Sequence, residues 1–499
     1  MREAYRVEAV RAAEQALMAL VPDGTLMRRA AAGLAAVSAS LLLQSPGYVY
    51  GARVVVLAGS GDNGGDALYA GALLARRGAA VIAIAAGPKA HPGGSAELRA
   101  AGGRITADAG PIDAADLIID GLLGIGGRGG LREPFAGLAA RAELARLDGA
   151  TVVAVDLPSG IDADTGVVEG PAVRADITVT FGAIKPGLLI DPGVGHAGAV
   201  ELVGIGLVPY LTGQPAARAP QRDDIAALLP RPGAESDKYR RGVIGVLAGS
   251  DRFAGAAVLA TGGAIRGGAG MVRVLTGPIP AAAVRQTWPE AVLTVHSEDA
   301  GQDLIDSAGR VQAWVAGPGM GTDEHAAARL AGVLATDLPV LVDADGLTVL
   351  SQVGGLPRQA PTLITPHAGE LARLLRTDAA SVEARRLEHA RRAAAELGAT
   401  VLLKGSTTVI AQPHEEPVLV NPTGTPWLAT AGTGDVLSGL AGSLLAQGLA
   451  PAEAALAAAY LHGLAARLAA AGGPGAGPGE APIGAFDVVR SLPDAFRSL

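Results

Sequence analysis

Hydrophobic and polar positions along the chain alternate in a way that predicts two successive α/β units. Residues 4–44 carry helical spacing, broken at Pro22-Asp23-Gly24. Short apolar runs then appear at Arg53–Ala58, Ala80–Ala85, Asp116–Asp120, Thr151–Asp156 and Asp176–Phe181. Helical intervals separate most of them, and strands that alternate with helices predict a parallel sheet. Residues 208–222, VPYLTGQPAARAPQR, are Pro-rich, polar and aperiodic, and read as a linker. The alternation restarts after Gly242, with strands expected at Val243–Ala248, Met271–Leu275, Ala291–His296, Ala313–Ala316, Val340–Asp343, Thr362–Thr365 and Thr400–Leu403. A small-residue helix is expected from about Gly255 to Gly267. The pentapeptide VLAGS occurs at Val56–Ser60 and again at Val246–Ser250, but nothing after it matches, so it is convergent strand-to-turn chemistry and not a repeat. The expected organisation is a two-domain α/β protein with boundaries at 1–215 and 223–499.

Composition sharpens this picture in a few respects. A chain of 499 residues exceeds one compact core, which fits more than one domain. Aromatics make up only 3%, so the cores must be built from Ala, Val, Leu and Ile. The net charge of −8 and the lack of a basic run argue against nucleic acid as a partner. With no cysteine there are no disulfides, thiol chemistry or Cys-ligated zinc, as suits a cytoplasmic protein. The N-terminus mixes Arg and Glu and lacks the apolar core of a signal peptide. The longest apolar region, Leu440–Gly473, is interrupted by Gln447, Pro451, Glu453, His462 and Arg467. It reads as two packed helices, and no membrane partner is expected.

Open α/β sheets bind ligands beyond the carboxyl ends of their strands. In the first half, four loops fall there: Gly59–Asp66, Asp120–Gly130, Asp156–Asp162 and the loop after Phe181 that contains Lys185-Pro186-Gly187. Gly124, Gly126, Gly127, Gly129 and Gly130 can bring backbone amides close to an anion. Asn63, Asp120 and Ser159 offer hard oxygen ligands of low total charge, better suited to a monovalent cation than to a transition metal. Asp156, at a strand end, is the acid/base candidate. Each loop singly could be an ordinary turn; four at one end of a sheet point to a site.

In the second half, Ala431-Gly432-Thr433-Gly434-Asp435 precedes an apolar run with helical spacing, Val436, Leu437, Leu440, Leu444 and Leu445. Amides at a helix start favour an anion such as phosphate. An acid beside an anion site makes sense if it takes a proton from a hydroxyl attacking that phosphate. The plainer alternative is a tight turn in which Asp435 only caps the helix. Its company is Lys238–Gly242, Gly255-Ala256-Ala257, Gly317–Gly321, Asp343-Ala344-Asp345, Thr365–Glu370 and Lys404–Thr408, most of them at strand ends. A lone histidine is more often structural, yet His367 lies in a strand-end loop where it can touch a ligand.

GSGDNGGD, DGLLGIG, VDLPSGID and TFGAIKPG, in that order, resemble the NAD(P)H-hydrate epimerase domain over nearly all of residues 1–210. The resemblance implies a Rossmann-like three-layer α/β/α fold and inversion at C6 of the hydrated nicotinamide ring. It implies hydrate contacts from Asp62, Asn63, Gly64, Gly65, Asp66, Gly124, Ile125, Gly126, Gly127, Arg128, Gly129, Gly130 and Asp156. It further implies catalysis by Asp156 and potassium held by Asn63, Asp120 and Ser159. Asp62 stands where the family usually has Asn, Ala67 where it has Gly, and Arg28 where it has Glu.

From about residue 223 onward the motif set is similar to the ADP-dependent NAD(P)H-hydrate dehydratases of the ribokinase-like superfamily. Here Ala431 replaces a frequent Gly, and Trp427-Leu428 a frequent Gly-Met. This resemblance implies hydrate contacts from Ala256, Gly319, His367 and Asp435. It also implies ADP or AMP held by Lys404, Gly405, Ser406, Thr407, Thr408 and Gly434, Mg2+ carried in with ADP, and Asp435 as catalytic base. The fusion resembles the bifunctional nicotinamide nucleotide repair enzymes, whose substrates are small molecules, and a homo-oligomer is expected. One rival is a ribokinase-like small-molecule kinase, which would release a stable phosphorylated product. Another is a first domain that binds without catalysing.

Overall fold

The computed structural model describes residues 1–87, 90–296, 302–353, 356, 358–413, 417–472 and 479–499. The chain divides into two compact units, Glu3–Ala217 and Arg218–Leu499, the latter with Met1–Arg2. The stretch expected to be a featureless linker holds a short 3-10 turn at Val208–Tyr210 and a strand at Ala217–Ala219, with Ala216, Ala217 and Ala219 buried.

The first unit opens with helices Val7–Met18 and Thr25–Gln44, separated at the predicted Pro-Asp-Gly break. Seven strands follow: β1 Arg53–Ala58, β2 Ala80–Ala85, β3 Arg104–Thr106, β4 Leu117–Gly121, β5 Thr151–Val155, β6 Ile177–Phe181 and β7 Ala199–Val203. They form a parallel sheet of order β3-β2-β1-β4-β5-β6-β7. Strand side chains alternate between faces, and the core divides accordingly. Val54, Val56, Leu117 and Ile119 pack under the N-terminal helices, while Val55, Leu57, Ile118 and Val152 pack under helix Phe135–Leu147. The result is the three-layer arrangement.

In the second unit the strands are β8 Val243–Leu247, β9 Met271–Thr276, β10 Val292–Val295, β11 Ala313–Ala316, β12 Val340–Val342, β13 Thr362–Ile364, β14 Thr400–Leu403, β15 Thr408–Ala411 and β16 Val418–Asn421. They lie in the order β16-β15-β14-β13-β12-β11-β8-β9-β10. Neighbouring strands from β10 to β14 run parallel, and β14-β15-β16 is antiparallel.

The scarcity of aromatics has a structural counterpart here. Helices Ala254–Arg266 and Thr433–Ala446 meet backbone to backbone: a Cβ on Gly439 would lie 1.9 Å from the Ala260 carbonyl oxygen, and one on Gly263 would lie 2.2 Å from that of Val436. Only glycine allows that approach, and it fixes the depth at which Asp435 sits. The apolar region 440–473 folds as expected into two packed helices, the second being Pro451–Ala471; Gly473 itself lies outside the described residues. By length and composition alone Thr25–Gln44 and Pro451–Ala471 could cross a membrane, but 67% of the second's apolar window is buried inside the protein.

Candidate active sites

In the first unit the strand-end loops converge on a cavity of about 610 Å³. Its wall includes Asp62, Asn63, Asp66, Gly124, Ile125, Gly126, Gly127 and Asp156. Of the other residues implied to touch the hydrate, Gly64, Gly65, Arg128, Gly129 and Gly130 do not line it. Gly64 has a structural reason to be glycine, since a Cβ there would lie 2.2 Å from the Gly59 carbonyl oxygen.

Asp156 follows β5 with φ of 64°, a left-handed conformation unusual for a residue with a side chain. Its Oδ1 accepts from the Lys185 ammonium, from Thr180 Oγ1 at 3.1 Å and from the Phe181 amide at 3.1 Å. Lys185 is 1% exposed and also donates to Thr180 Oγ1 at 3.1 Å and the Phe181 carbonyl at 3.2 Å. The ion pair thus saturates one carboxylate oxygen and anchors the acid at the cavity wall. Lys185 was visible in the sequence only as part of a loop; its partner becomes apparent once β5 and β6 lie side by side.

Four more acids, Glu14, Asp23, Asp62 and Asp66, line this space. Asp66 is pushed well above the usual carboxylate range by burial and then by the charges of Asp156, Asp62 and Glu14, and its Oδ1 has no hydrogen-bond partner among the described residues. Glu14, from helix Val7–Met18, is likewise raised by burial, against the pull of Lys185. The sequence reading missed this helix as part of the site, although Arg11, Glu14 and Met18 share one helical face.

Asp120 and Ser159 come together behind the cavity. Asp120 is fully buried; it accepts from the Ser159 amide at 2.8 Å, Ser159 Oγ at 2.7 Å and the Leu122 amide at 3.2 Å. Burial still outweighs these bonds and raises its pKa to about 6. Asn63 approaches from the first helical turn after β1: its backbone carbonyl oxygen would be 3.1 Å from a Cβ on Gly121, and its buried Nδ2 has no partner among the described residues.

The second unit builds its acid differently. Gly432, at φ of 90°, turns the chain into helix Thr433–Ala446, and Asp435 occupies the third helical position without acting as its cap. Burial, followed by the charge of Asp343, raises Asp435 to about 7, with Lys404 opposing. Asp343 is 1% exposed and has both oxygens engaged, one by Lys404 Nζ at 2.8 Å and one by Ser438 Oγ at 2.6 Å. Lys404 also lies 3.6 Å from Glu370. Burial pulls its ammonium down, but the neighbouring carboxylates win and its pKa is raised. A Cβ on Gly434 would be 3.5 Å from that ammonium, so glycine leaves the approach to Lys404 open.

His367 caps helix Ala368–Leu375, its Nδ1 accepting from the Gly369 amide at 3.0 Å and the Glu370 amide at 3.4 Å. The proton of the neutral ring therefore sits on Nε2, 3.5 Å from Glu370, with the side chain 56% exposed. Ala256 and Gly319 are immediate neighbours: a Cβ on Gly319, whose φ is 58°, would lie 2.7 Å from that of Ala256. Within Lys404–Thr408, Gly405 and Ser406 are exposed while Thr407 and Thr408 are buried. Gly405 presses on the Arg386 guanidinium, which donates to the Lys404 carbonyl at 2.7 Å and so shapes the turn. The sequence reading did not single out Asp343 and Glu370 as partners of Lys404, or Ser438 as the partner of Asp343, and it left out His462. This buried ring, on helix Pro451–Ala471, is lowered to about 4 by burial.

The two successive α/β units match known families. A family model described as YjeF-related protein N-terminus matches residues 23–187, and one described as NAD(P)H-hydrate dehydratase matches residues 244–474. The bifunctional NAD(P)H-hydrate repair enzyme Nnr of Mycobacterium leprae is 48% identical over 505 residues, covering 100% of both chains. Its counterpart in Corynebacterium glutamicum is 35% identical and covers 90% of this chain and 88% of its own. A crystal structure of a ribokinase-like superfamily protein from Enterococcus faecalis aligns with a TM-score of 0.50 at 26% identity, covering 57% of this chain and 96% of that one. With a relative so similar along its whole length and both models matching in order, the chain belongs to the bifunctional NAD(P)H-hydrate repair enzymes.

Proposed function

We propose that the chain interconverts the R and S forms of NAD(P)H hydrate in its first unit and dehydrates the S form in its second. ADP is consumed and AMP, phosphate and NAD(P)H are released. The observation that carries the second half is Asp435, a half-buried acid raised to about 7 in the first turn of a helix, beside the Lys404–Asp343 pair. Such a group can accept a proton near neutral pH. A hydroxyl at C6 is a poor leaving group. Asp435 takes its proton as the oxygen attacks the terminal phosphorus of ADP, and AMP departs. The ring nitrogen's lone pair then expels phosphate, and loss of a proton from the adjacent carbon restores the dihydropyridine. Amides at the helix start stabilise the charge passing between oxygens. In this reading Ala256, Gly319 and His367 border the hydrate, and Lys404–Thr408 with Gly434 border the nucleotide. Mg2+ bound to the diphosphate would neutralise part of its charge.

For the first unit, Asp156 acts at the C6 end of the hydrate, held there by Lys185. Asn63, Asp120 and Ser159 form a hard oxygen set, and a deeply buried carboxylate raised to about 6 would welcome a cation. Potassium would fit these three residues and would supply the positive charge that stabilises ionised Asp120. A cytoplasmic location, consistent with a cysteine-free chain, goes with this reading.

Incubation of the S hydrate with ADP and Mg2+, followed by product analysis, tests the proposal. Equal yields of AMP, phosphate and reduced nicotinamide are expected. A stable phosphorylated hydrate would instead make the chain a kinase.

A further inference from the structure

The first cavity has a charge problem. Its described lining carries Glu14, Asp23, Asp62, Asp66 and Asp156, yet a pyridine dinucleotide brings a diphosphate with two more negative charges. Among the described lining residues the only cationic side chain is Arg11. Lys185 does not help, because it is buried behind the wall and bound to Asp156.

Arg11 is well placed to meet an anion. Helix Val7–Met18 buries Val10, Ala13 and Leu17 and turns Arg11, Glu14 and Met18 toward the cavity. The Val7 amide donates to Asp164 Oδ1 at 2.7 Å, which pins the start of that helix to the unit. The guanidinium reaches the glycine loop after β4: a Cβ on Gly126 would lie 3.3 Å from Arg11 Nη2. In that loop the Gly127 amide is bonded to the Gly124 carbonyl at 2.9 Å and the Leu123 amide to Ser159 Oγ at 2.9 Å. The amides between them, of Gly124, Ile125 and Gly126, donate no hydrogen bond among the described residues. Arg11 itself has neither a hydrogen bond nor an ion pair among those residues. Amides and a guanidinium without hydrogen-bond partners among the described residues, close together at Gly126 with only the weaker pull of Glu14 on Arg11, make an anion cradle.

Resting on the epimerase reading of this unit, we propose that Arg11 and the Gly124–Gly126 amides clamp the diphosphate of the hydrate, and that Arg11 sets the affinity of the first site for dinucleotides. The strand carrying this loop neighbours β5, which Asp156 follows, and the loop and Asp156 line the same cavity. A ligand can therefore meet Asp156 with its ring while its phosphates rest on the loop. A contact made equally in ground and transition states changes KM and leaves kcat nearly alone.

The test uses the full chain and the R hydrate, following epimerisation through the chain's own dehydratase with ADP in excess. Arg11→Ala is expected to raise KM for the R hydrate about 10–100-fold, the range of a charge-assisted hydrogen bond, with kcat within about threefold. Arg11→Lys should recover part of that loss. Raising the salt concentration should weaken the wild type more than Arg11→Ala, because the variant has lost the screened contact. Dehydration of the S hydrate reports that each variant is folded. An unchanged KM in Arg11→Ala, or a fall in kcat without a rise in KM, would overturn the clamp. A wild-type chain that leaves the R hydrate untouched would instead refute the epimerase reading itself.

Discussion

Each unit presents one carboxylate from the carboxyl end of a parallel sheet, but the two are prepared in opposite ways. Asp156 faces the buried ammonium of Lys185 directly and gives one oxygen wholly to Lys185, Thr180 and the Phe181 amide. Among the described residues Asp435 makes no ion pair; the lysine near it is taken by Asp343, and burial raises Asp435 to about 7. A carboxylate paired with a cation is fixed in place. One partly withdrawn from water beside another acid is ready to take up a proton. The lesson is that the partner of the lysine, more than the acid itself, decides which chemistry each loop can do.

The largest effect should come from Asp435→Asn, which keeps size but removes the base. Dehydration is expected to fall by about 10²–10⁴-fold, measured as reduced-nicotinamide absorbance from the S hydrate. The fold should not suffer. Because the folded state raises this carboxyl, it binds a proton that the unfolded chain has lost, so wild-type stability declines as pH rises from about 4 to 7. The variant lacks that decline, and its melting temperature should meet or exceed the wild type's at pH 8. Lower stability of the variant there would deny that burial of the charge is costly.

Lys185→Met breaks the other arrangement. It leaves Asp156 without its cation in a buried setting, a change that typically costs about 3–5 kcal/mol. Epimerisation should drop by at least about tenfold while S-hydrate dehydration persists in the folded fraction. Comparable loss of both activities per folded molecule would mean that the pair does not serve the first site alone.

A third contrast lies in pH dependence. The base at Asp435 works only when ionised, so dehydration kcat should climb about tenfold per pH unit below about 7 and level off above it. A flat profile from pH 5.5 to 8 would remove Asp435 as the titrating base. The smallest effect concerns Asp120. Ionised Asp120 is disfavoured below and near pH 6 by burial, so a bound cation should stabilise the fold more at pH 8 than at pH 5. Thermal shifts on replacing potassium with a bulky organic cation should be a few degrees at pH 8, and should vanish in Asp120→Asn.

Most of the fold could be read from the alternation of apolar runs, because parallel strands buried on both faces are continuous Val and Ile segments. The break at Pro22-Asp23-Gly24 and the helix pair after Leu440 follow directly from residue chemistry. Edge elements were harder to see. β7 is half exposed, β3 is only three residues long, and the hairpin β15-β16 lies in strands of four residues. Burial on one side only, or a few residues of length, leaves too little pattern.

The strand-end place of Asp156 and the glycine turn that opens helix Thr433–Ala446 could also be read from the sequence. Partners from distant segments did not: Lys185 beside Asp156, Asp343 and Ser438 around Lys404, and Arg11 and Glu14 from the first helix. These pairings depend on strand order, and no local pattern encodes strand order. His367 shows the converse, because a strand-end histidine promising as a ligand contact also closes a capping box through Nδ1.

The central claim is that two separate acids act in sequence on two epimers. It is tested most directly by mixing R and S hydrates with ADP, Mg2+ and K+ and following the absorbance of reduced nicotinamide. The wild-type chain should convert both epimers completely, whereas Asp156→Ala should convert the S share promptly and leave the R share to uncatalysed epimerisation. Equal rates and full conversion in both proteins, or a wild type that stops at the S share, would contradict the claim.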